Sequence, residues 1–182
     1  METIELRKYL RDKLLELTDD DVYLDVGACI GTASNLINKG TCYAFEPSDR
    51  NYELLVEATW FKPNIVPLKI AMYGEQVFYE VMESEKQIGM DRIAVSNVGQ
   101  LTTTIDLFCE DKKNIKLIKV DAEGSDYQIF LGAKETIIKH KPIFIIEKNK
   151  MLPCEVKDLC KWFEENNYTK LFFSINIAFE PK

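Results

Sequence analysis

The sequence predicts an α/β fold: a single doubly wound, mostly parallel sheet flanked by helices and closed by an antiparallel C-terminal edge hairpin. Three observations carry this. Short apolar runs recur along the 182 residues, helix-like segments separate them, and the last two runs, at 168–173 and 176–179, are joined by only a tight turn. Apolar runs of four to eight residues suit strands buried on both faces. Their alternation with helices builds right-handed βαβ units.

Residues 1–18 read as an amphipathic helix, because Leu6, Leu10, Leu14 and Leu17 share one face. Charges interrupt its apolar positions, so neither a signal peptide nor a membrane span is expected. Strands are predicted over residues 22–26, 41–45, 65–70, 115–120 and 143–146. Helices are predicted over 30–38, ending at Gly40, over 49–60, and over 126–140 with a break near Gly132.

The stretch 74–106 departs from the alternation. It holds strand-like VFYEVM, polar ESEKQIGMDR, then RIAVSNV and TTTID, which read as antiparallel excursions joined by polar turns. Such an insertion is expected to roof a site. A helix over about 155–166 precedes the terminal hairpin. With no repeat or linker, 1–182 is expected to form one domain. Trp60, Trp162, Phe172 and Phe173 are assigned to the core rather than to ligand stacking.

Twenty-three basic and 30 acidic side chains leave a net charge of -7, which repels phosphate backbones and anionic lipids. Lys112-Lys113 and Lys139-His140-Lys141 are too short to reverse that. Neither a nucleic-acid nor a membrane partner is expected. Five cysteines (29, 42, 109, 154, 160), no Cys-x-x-Cys pair and one histidine suggest neither a disulfide framework nor a zinc site. Reduced thiols in a cytoplasmic setting fit best; Cys154 and Cys160 would bridge only in a hot-living organism. His140 stands before a strand's amino end, opposite the expected site.

In a doubly wound sheet the ligand lies beyond the carboxyl ends of the strands, where strand order reverses. Those ends carry Asp25-Val26-Gly27, Glu46-Pro47, Ala71-Met72, Asp121-Ala122-Glu123-Gly124 and Glu147-Lys148. In VYLDVGACIGT, Gly27 and Gly31 let a nucleotide-like ligand lie against the turn. Glu46 follows Asp25 at roughly the 20 residues of a ribose-binding acid. A dinucleotide fold wants a glycine where Asp25 stands; an acid facing the crevice would repel pyrophosphate. It suits a cationic ligand instead. S-adenosyl-L-methionine carries an ammonium and a sulfonium and no phosphate, so Asp-x-Gly-x-x-x-Gly with a downstream Glu points to a methyl donor.

DVGACIG, YAFEPSDRNYELL, TTTIDLF and LIKVDAEGSDYQIFLGA followed by KPIFIIE resemble the FkbM-type family of S-adenosylmethionine-dependent methyltransferases, from about Val22 to Glu147. The resemblance implies a Rossmann-like class I methyltransferase domain that methylates a hydroxyl of a sugar or another small metabolite and releases S-adenosyl-L-homocysteine. By the family pattern Asp25, Gly27 and Gly31 hold the methionine part, with Ala28 and Cys29 in the same turn. Glu46 holds the ribose with Pro47 beside it, Ala71 and Met72 border the adenine, and Asp121 also meets the cofactor. The family commonly has Asn where this chain has Cys29.

Methyl transfer is an in-line displacement at an already activated carbon, so the protein mainly aligns the acceptor and removes its proton. Asp121 is the expected base or orienting group, Glu123 or Glu147 its assistant, and Lys119 tunes their acidity. Asp121, Glu123 and Glu147 could gather around magnesium, but no metal is expected. Asp106, in TTTIDLF, is expected to cap the helix starting there. The expected partner is a small-molecule or glycan acceptor. Two other readings stand beside this one: a nucleic-acid 2′-hydroxyl methyltransferase using Asp121, Lys148 and Glu180, and a noncatalytic cofactor-binding module.

Overall fold

The computed structural model describes residues 4–84 and 89–182. Helix α1 (Ile4–Leu15) leads into strands β1 (Val22–Val26) and β2 (Thr41–Phe45), helix α2 (Asp49–Thr59) and β3 (Ile65–Leu68). Strands β4 (Phe78–Met82), β5 (Arg92–Val95) and β6 (Gln100–Leu101) follow. Then come α3 (Ile105–Phe108), β7 (Ile115–Val120), α4 (Asp126–Leu131), α5 (Lys134–His140), β8 (Ile143–Glu147), α6 (Pro153–Glu165), β9 (Tyr168–Phe173) and β10 (Asn176–Pro181).

Seven of these strands form one sheet in the order β3-β2-β1-β7-β8-β10-β9. The first five run parallel, while β10 is antiparallel to both β8 and β9. Strand order reverses at β1, with β2 and β3 on one side and β7 and β8 on the other. This is the doubly wound sheet that the alternation predicts, and the hairpin closes one edge. The break in the long helix falls at Gly132, between α4 and α5.

Side-chain alternation along the strands divides the core into two layers. Leu24 and Val26 join Phe45, Phe130, Phe144, Phe163 and Phe179 on one face. Tyr23 joins Leu117, Ile145 and Ala178 on the other, under the Leu6, Leu10 and Leu14 stripe of α1. Phe163 stacks on Phe179 with ring centroids 3.9 Å apart, and Phe130, Phe144 and Tyr168 crowd its other sides. Among the described residues no helix is long and apolar enough to cross a membrane.

Four local expectations are corrected. The helix predicted over 30–38 is a run of turns containing one short 3-10 helix, Ser34–Leu36. Thr32, Ser34, Asn35 and Asn38 compete with the backbone for hydrogen bonds, which disfavours a helix between Gly31 and Gly40. Accordingly, Asn35 Nδ2 donates to Ala58 O, and Lys62 Nζ donates to the carbonyls of Asn35 and Ile37. TTTID is not a strand: Thr104 caps α3 by accepting from Leu107 N–H at 3.0 Å. Asp106 caps α5 instead of its own helix, accepting from Thr136 N–H at 2.7 Å and Glu135 N–H at 3.2 Å. Trp60 is 80% exposed just beyond α2, and Phe172 is 61% exposed on edge strand β9, so neither belongs to the core.

Within 74–106, β4 pairs antiparallel with β5 and β6 as a separate three-stranded sheet. Residues 1–3 of the N-terminal helix reading and 85–88 of the polar run ESEKQIGMDR lie outside the described residues.

The packing predicts an asymmetry between two aromatic positions. Phe163→Ala, which empties the centre of one layer, is expected to cost about 3–5 kcal/mol in urea unfolding. Phe172→Ala is expected to stay within about 0.5 kcal/mol of the parent.

Candidate functional site

The site is built where β1 and β7 diverge. Gly27 follows β1 with φ 77°, and a Cβ there would lie 1.9 Å from the Asp121 carbonyl oxygen. Only glycine lets the two strand ends approach this closely. Gly27 and Ala28 both donate their N–H to Phe45 O, at 3.0 and 2.9 Å. Cys29 adopts a left-handed φ of 52° and donates its N–H to Glu46 Oε2 at 2.9 Å, while Ser48 N–H donates to Glu46 Oε1 at 2.9 Å. Burial pushes the Glu46 carboxyl up, and these backbone donors offset part of that.

A cavity with about 500 Å³ of empty space opens above the turns. Of the residues singled out from sequence, Gly27, Cys29, Glu46, Pro47, Ala71, Met72, Asp121 and Glu123 line it together. Ala28, Gly31, Asp25 and Lys119 do not. Gly31, with φ 81°, lies under Leu55 and Thr59, where a Cβ would meet Leu55 Cδ1 at 2.8 Å.

Asp25 departs from the expectation that its carboxylate faces the crevice. Val26 lines the cavity, and strand alternation turns Asp25 to the other face, where it is fully buried. Ser34 Oγ donates to Asp25 Oδ2 at 2.5 Å. Lys119, its cross-strand partner, places Nζ 3.8 Å from Asp25 Oδ1 and 3.3 Å from Asp121 Oδ2. Lys119 therefore joins a carboxylate behind the turn to one in the cavity.

Three carboxylates converge at the ends of β7 and β8. One oxygen from each of Asp121, Glu123 and Glu147 lies within 4.8 Å of the others. Glu123 pairs with Lys150. Glu147 is 6% exposed and its Oε2 has no hydrogen-bond partner. Burial first, then Asp121 and Asp126, push its carboxyl up to about 7. The loop carrying Glu123 is tied down by buried Asp126, which accepts from Ala122 N–H and Gly124 N–H, each at 3.0 Å.

Sequence reasoning missed Asp91. It lines the cavity from the insertion, with Gly89, Arg92 and Ile93. Asp91 Oδ2 accepts from Ser48 Oγ at 2.7 Å and Asn51 Nδ2 at 3.1 Å. Its Oδ1 accepts from Arg50 Nη2 and Ser84 N–H, each at 2.8 Å. Burial raises its carboxyl, yet these donors together hold it below the usual carboxylate range. Asp91 thus pins the insertion to the start of α2. Among the residues of the 2′-hydroxyl reading, Lys148 Nζ donates to Ser174 O, and Glu180 is bound by Tyr9 and Lys13.

The family model described as Methyltransferase FkbM domain matches residues 25–170. A solved methyltransferase FkbM from Methylobacillus flagellatus KT is similar with TM-score 0.67 and 18% identity, over 94% of this chain and 46% of that one. The chain thus spans about half that protein's length. An rRNA methylase from Streptococcus thermophilus aligns with TM-score 0.61 and 11% identity, over 100% of this chain and 98% of the other. A precorrin-6y C5,15-methyltransferase from Geobacter metallireducens GS-15 gives 0.57 and 12%, over 98% and 87%. At these identities the likeness is one of fold. No curated protein matches the sequence.

Glu147 sets a pH dependence of stability. Its folded carboxyl holds its proton up to about 7 against an ordinary 4.5, so the folded chain binds more protons than the unfolded one in that window. Stability therefore falls as pH rises from 4.5 to about 7 and levels off above. Glu147→Gln, melted beside the parent in chelator-containing buffers, is expected to lose this fall, worth up to roughly 3 kcal/mol. Parallel curves for the two proteins would refute it.

Proposed function

The chain belongs to the FkbM methyltransferase domain family, and from that premise we propose that it transfers a methyl group from S-adenosylmethionine to a hydroxyl of a small metabolite or glycan. One observation carries the choice of donor: Glu46, Asp91, Asp121 and Glu123 all line a cavity at the strand-order reversal, with Arg92 as the cationic residue among the described residues that line it. Such a lining disfavours a pyrophosphate and suits a sulfonium and an ammonium. The negative charge that the sequence motif places on Asp25 is therefore supplied at the cavity by these four side chains.

The residues present fit that cofactor. Each Glu46 oxygen already accepts one backbone N–H and keeps a lone pair for a ribose hydroxyl. Gly27 lets the end of β1 lie directly against Asp121 at the cavity wall, where no side chain would fit. Ala71 and Met72, both buried, offer an apolar wall for a purine. Bound there, S-adenosylmethionine supplies an electrophilic methyl carbon on a sulfonium.

Asp121 then acts as the base. Its carboxylate accepts the hydroxyl proton of the acceptor while the new oxygen–carbon bond forms and the sulfur–carbon bond breaks, leaving S-adenosylhomocysteine. Lys119, 3.3 Å from Asp121 Oδ2, fixes where that carboxylate points and is a positioning residue. Asp25 in turn holds Lys119 from behind the turn. Acceptor selection falls to the insertion, because Asp91, Arg92 and Ile93 bring it onto the cavity.

Two measurements test the reading. S-adenosylmethionine and S-adenosylhomocysteine are each expected to raise the melting temperature, and NAD is not; stabilisation by NAD alone would overturn the choice of donor. Asp121→Ala is expected to keep the donor-induced stabilisation while lowering methyl transfer by about 10²–10⁴-fold across a panel of hydroxylated acceptors. Equal loss of binding would make Asp121 a cofactor ligand instead of a base.

A further inference from the structure

We propose that Asp121, Glu123 and Glu147 form a binding site for a divalent, oxygen-preferring cation of the Mg²⁺ or Mn²⁺ class, which departs from the metal-free expectation drawn from sequence. The sheet itself brings the ligands together. Val120 and Ile146 are register partners on parallel strands β7 and β8, so the residues that follow them, Asp121 and Glu147, emerge side by side. Glu123 closes the third side, and one oxygen of each lies within 4.8 Å of the others.

The observation that goes beyond an acidic cluster is Glu147. It is 6% exposed, and its Oε2 is buried with no hydrogen-bond partner. A buried carboxylate oxygen is costly to leave without a donor. The surrounding charge does not supply one. Asp25, Asp121, Glu123, Asp126 and Glu147 face two ammonium groups, Lys119 and Lys150, and the Arg92 guanidinium near Lys150. Lys119 is shared between Asp25 and Asp121, and Asp126 is spent on the N–H groups of Ala122 and Gly124. Lys150 reaches Glu123 alone and is 34% exposed, a counter-ion that can withdraw into solvent. The cluster is left with surplus negative charge, and among the described residues Glu147 Oε2 has neither a hydrogen bond nor an ion pair.

Three carboxylates, with neither histidine nor cysteine among them, are hard donors that favour magnesium or manganese over zinc or copper. The position is open on two sides. Asp121 and Glu123 line the main cavity, and Glu123 with Lys150 also lines an adjoining groove beside Met82, Met90 and Arg92. A cation there would meet an acceptor oxygen entering from the groove and make its hydroxyl more acidic. That last role rests on the proposed methyl transfer; cation binding does not.

The test uses the full chain, stripped of metal with chelator and titrated with Mn²⁺ alone, free Mn²⁺ being read by electron paramagnetic resonance. The parent is expected to take up one equivalent, and Glu147→Gln and Glu123→Gln are each expected to weaken uptake by at least about tenfold. Two variants are used so that one remains if the other fails to fold. No uptake by the parent, or uptake that the folded variants leave unchanged, overturns the proposal. Neither donor nor acceptor takes part, so failure here leaves the methyl-transfer reading intact, and the reverse also holds.

Discussion

The site depends on one buried ammonium. Lys119 Nζ stands between Asp25 and Asp121 at the centre of the sheet, beside the point where strand order reverses. Asp25 alone at zero exposure would be an uncompensated charge in a low-dielectric interior, and Lys119 alone would be the same with opposite sign. Each is tolerable only because register pairing on β1 and β7 sets them opposite one another. That register also sets the ends of the two strands, so a slip by one residue would separate Lys119 from Asp25 and turn Asp121 out of the cavity. The electrostatics of the core and the placement of the Asp121 carboxylate are therefore one constraint.

From that centre the architecture works outward through backbone donors. Glu46 collects N–H groups from the first turn and from the start of α2, so two βα connections are locked by one side chain. Asp91 collects donors from α2 and from Ser84, which fastens the insertion to the same helix end. Asp126 collects N–H groups from the loop after β7. In each case a carboxylate replaces a regular hydrogen-bonded element, which lets irregular chain segments hold a fixed shape around the cavity. Cys29 and Glu123, both at positive φ, sit in these held loops, where the surrounding bonds sustain a conformation that an L-residue rarely adopts.

Much of this was legible in the sequence because it rests on periodicity. The apolar runs that became β1, β2, β3, β7 and β8, and the Leu6, Leu10 and Leu14 stripe of α1, announce themselves through burial alone. The acids at the strand ends were legible for the same reason, since a strand's last residue is known once the strand is. What escaped was decided by contacts between segments distant in sequence. Sequence alone points Asp25 into the cavity, because its position in the motif says nothing of which way the strand faces. It also pairs Asp106 with its nearest helix, whereas its partners are the N–H groups of Glu135 and Thr136. Asp91 had no periodic neighbour to mark it at all. The 30–38 segment fails as a helix because the Asn35 side chain donates to a carbonyl of α2, Ser34 donates to Asp25, and the backbone carbonyls of Asn35 and Ile37 accept from Lys62.

Relocating Asp25 changes how charge selects a ligand. An acid buried behind a turn and neutralised by Lys119 exerts little field on the cavity, so a single motif position cannot explain preference for a cation. The proposed preference then has to come from groups at the cavity wall, and those four side chains belong to three separate connections: Glu46 after β2, Asp91 in the insertion, and Asp121 and Glu123 after β7. Asp91 is paired with Arg50, Asp121 with Lys119 and Glu123 with Lys150, so the potential in the recess is what four carboxylates leave after those partners are counted. Selectivity of this kind is distributed, and it arises only when the insertion is fastened down, because Asp91 brings one of the four charges with it. The same anchoring thus closes the cavity and completes its charge.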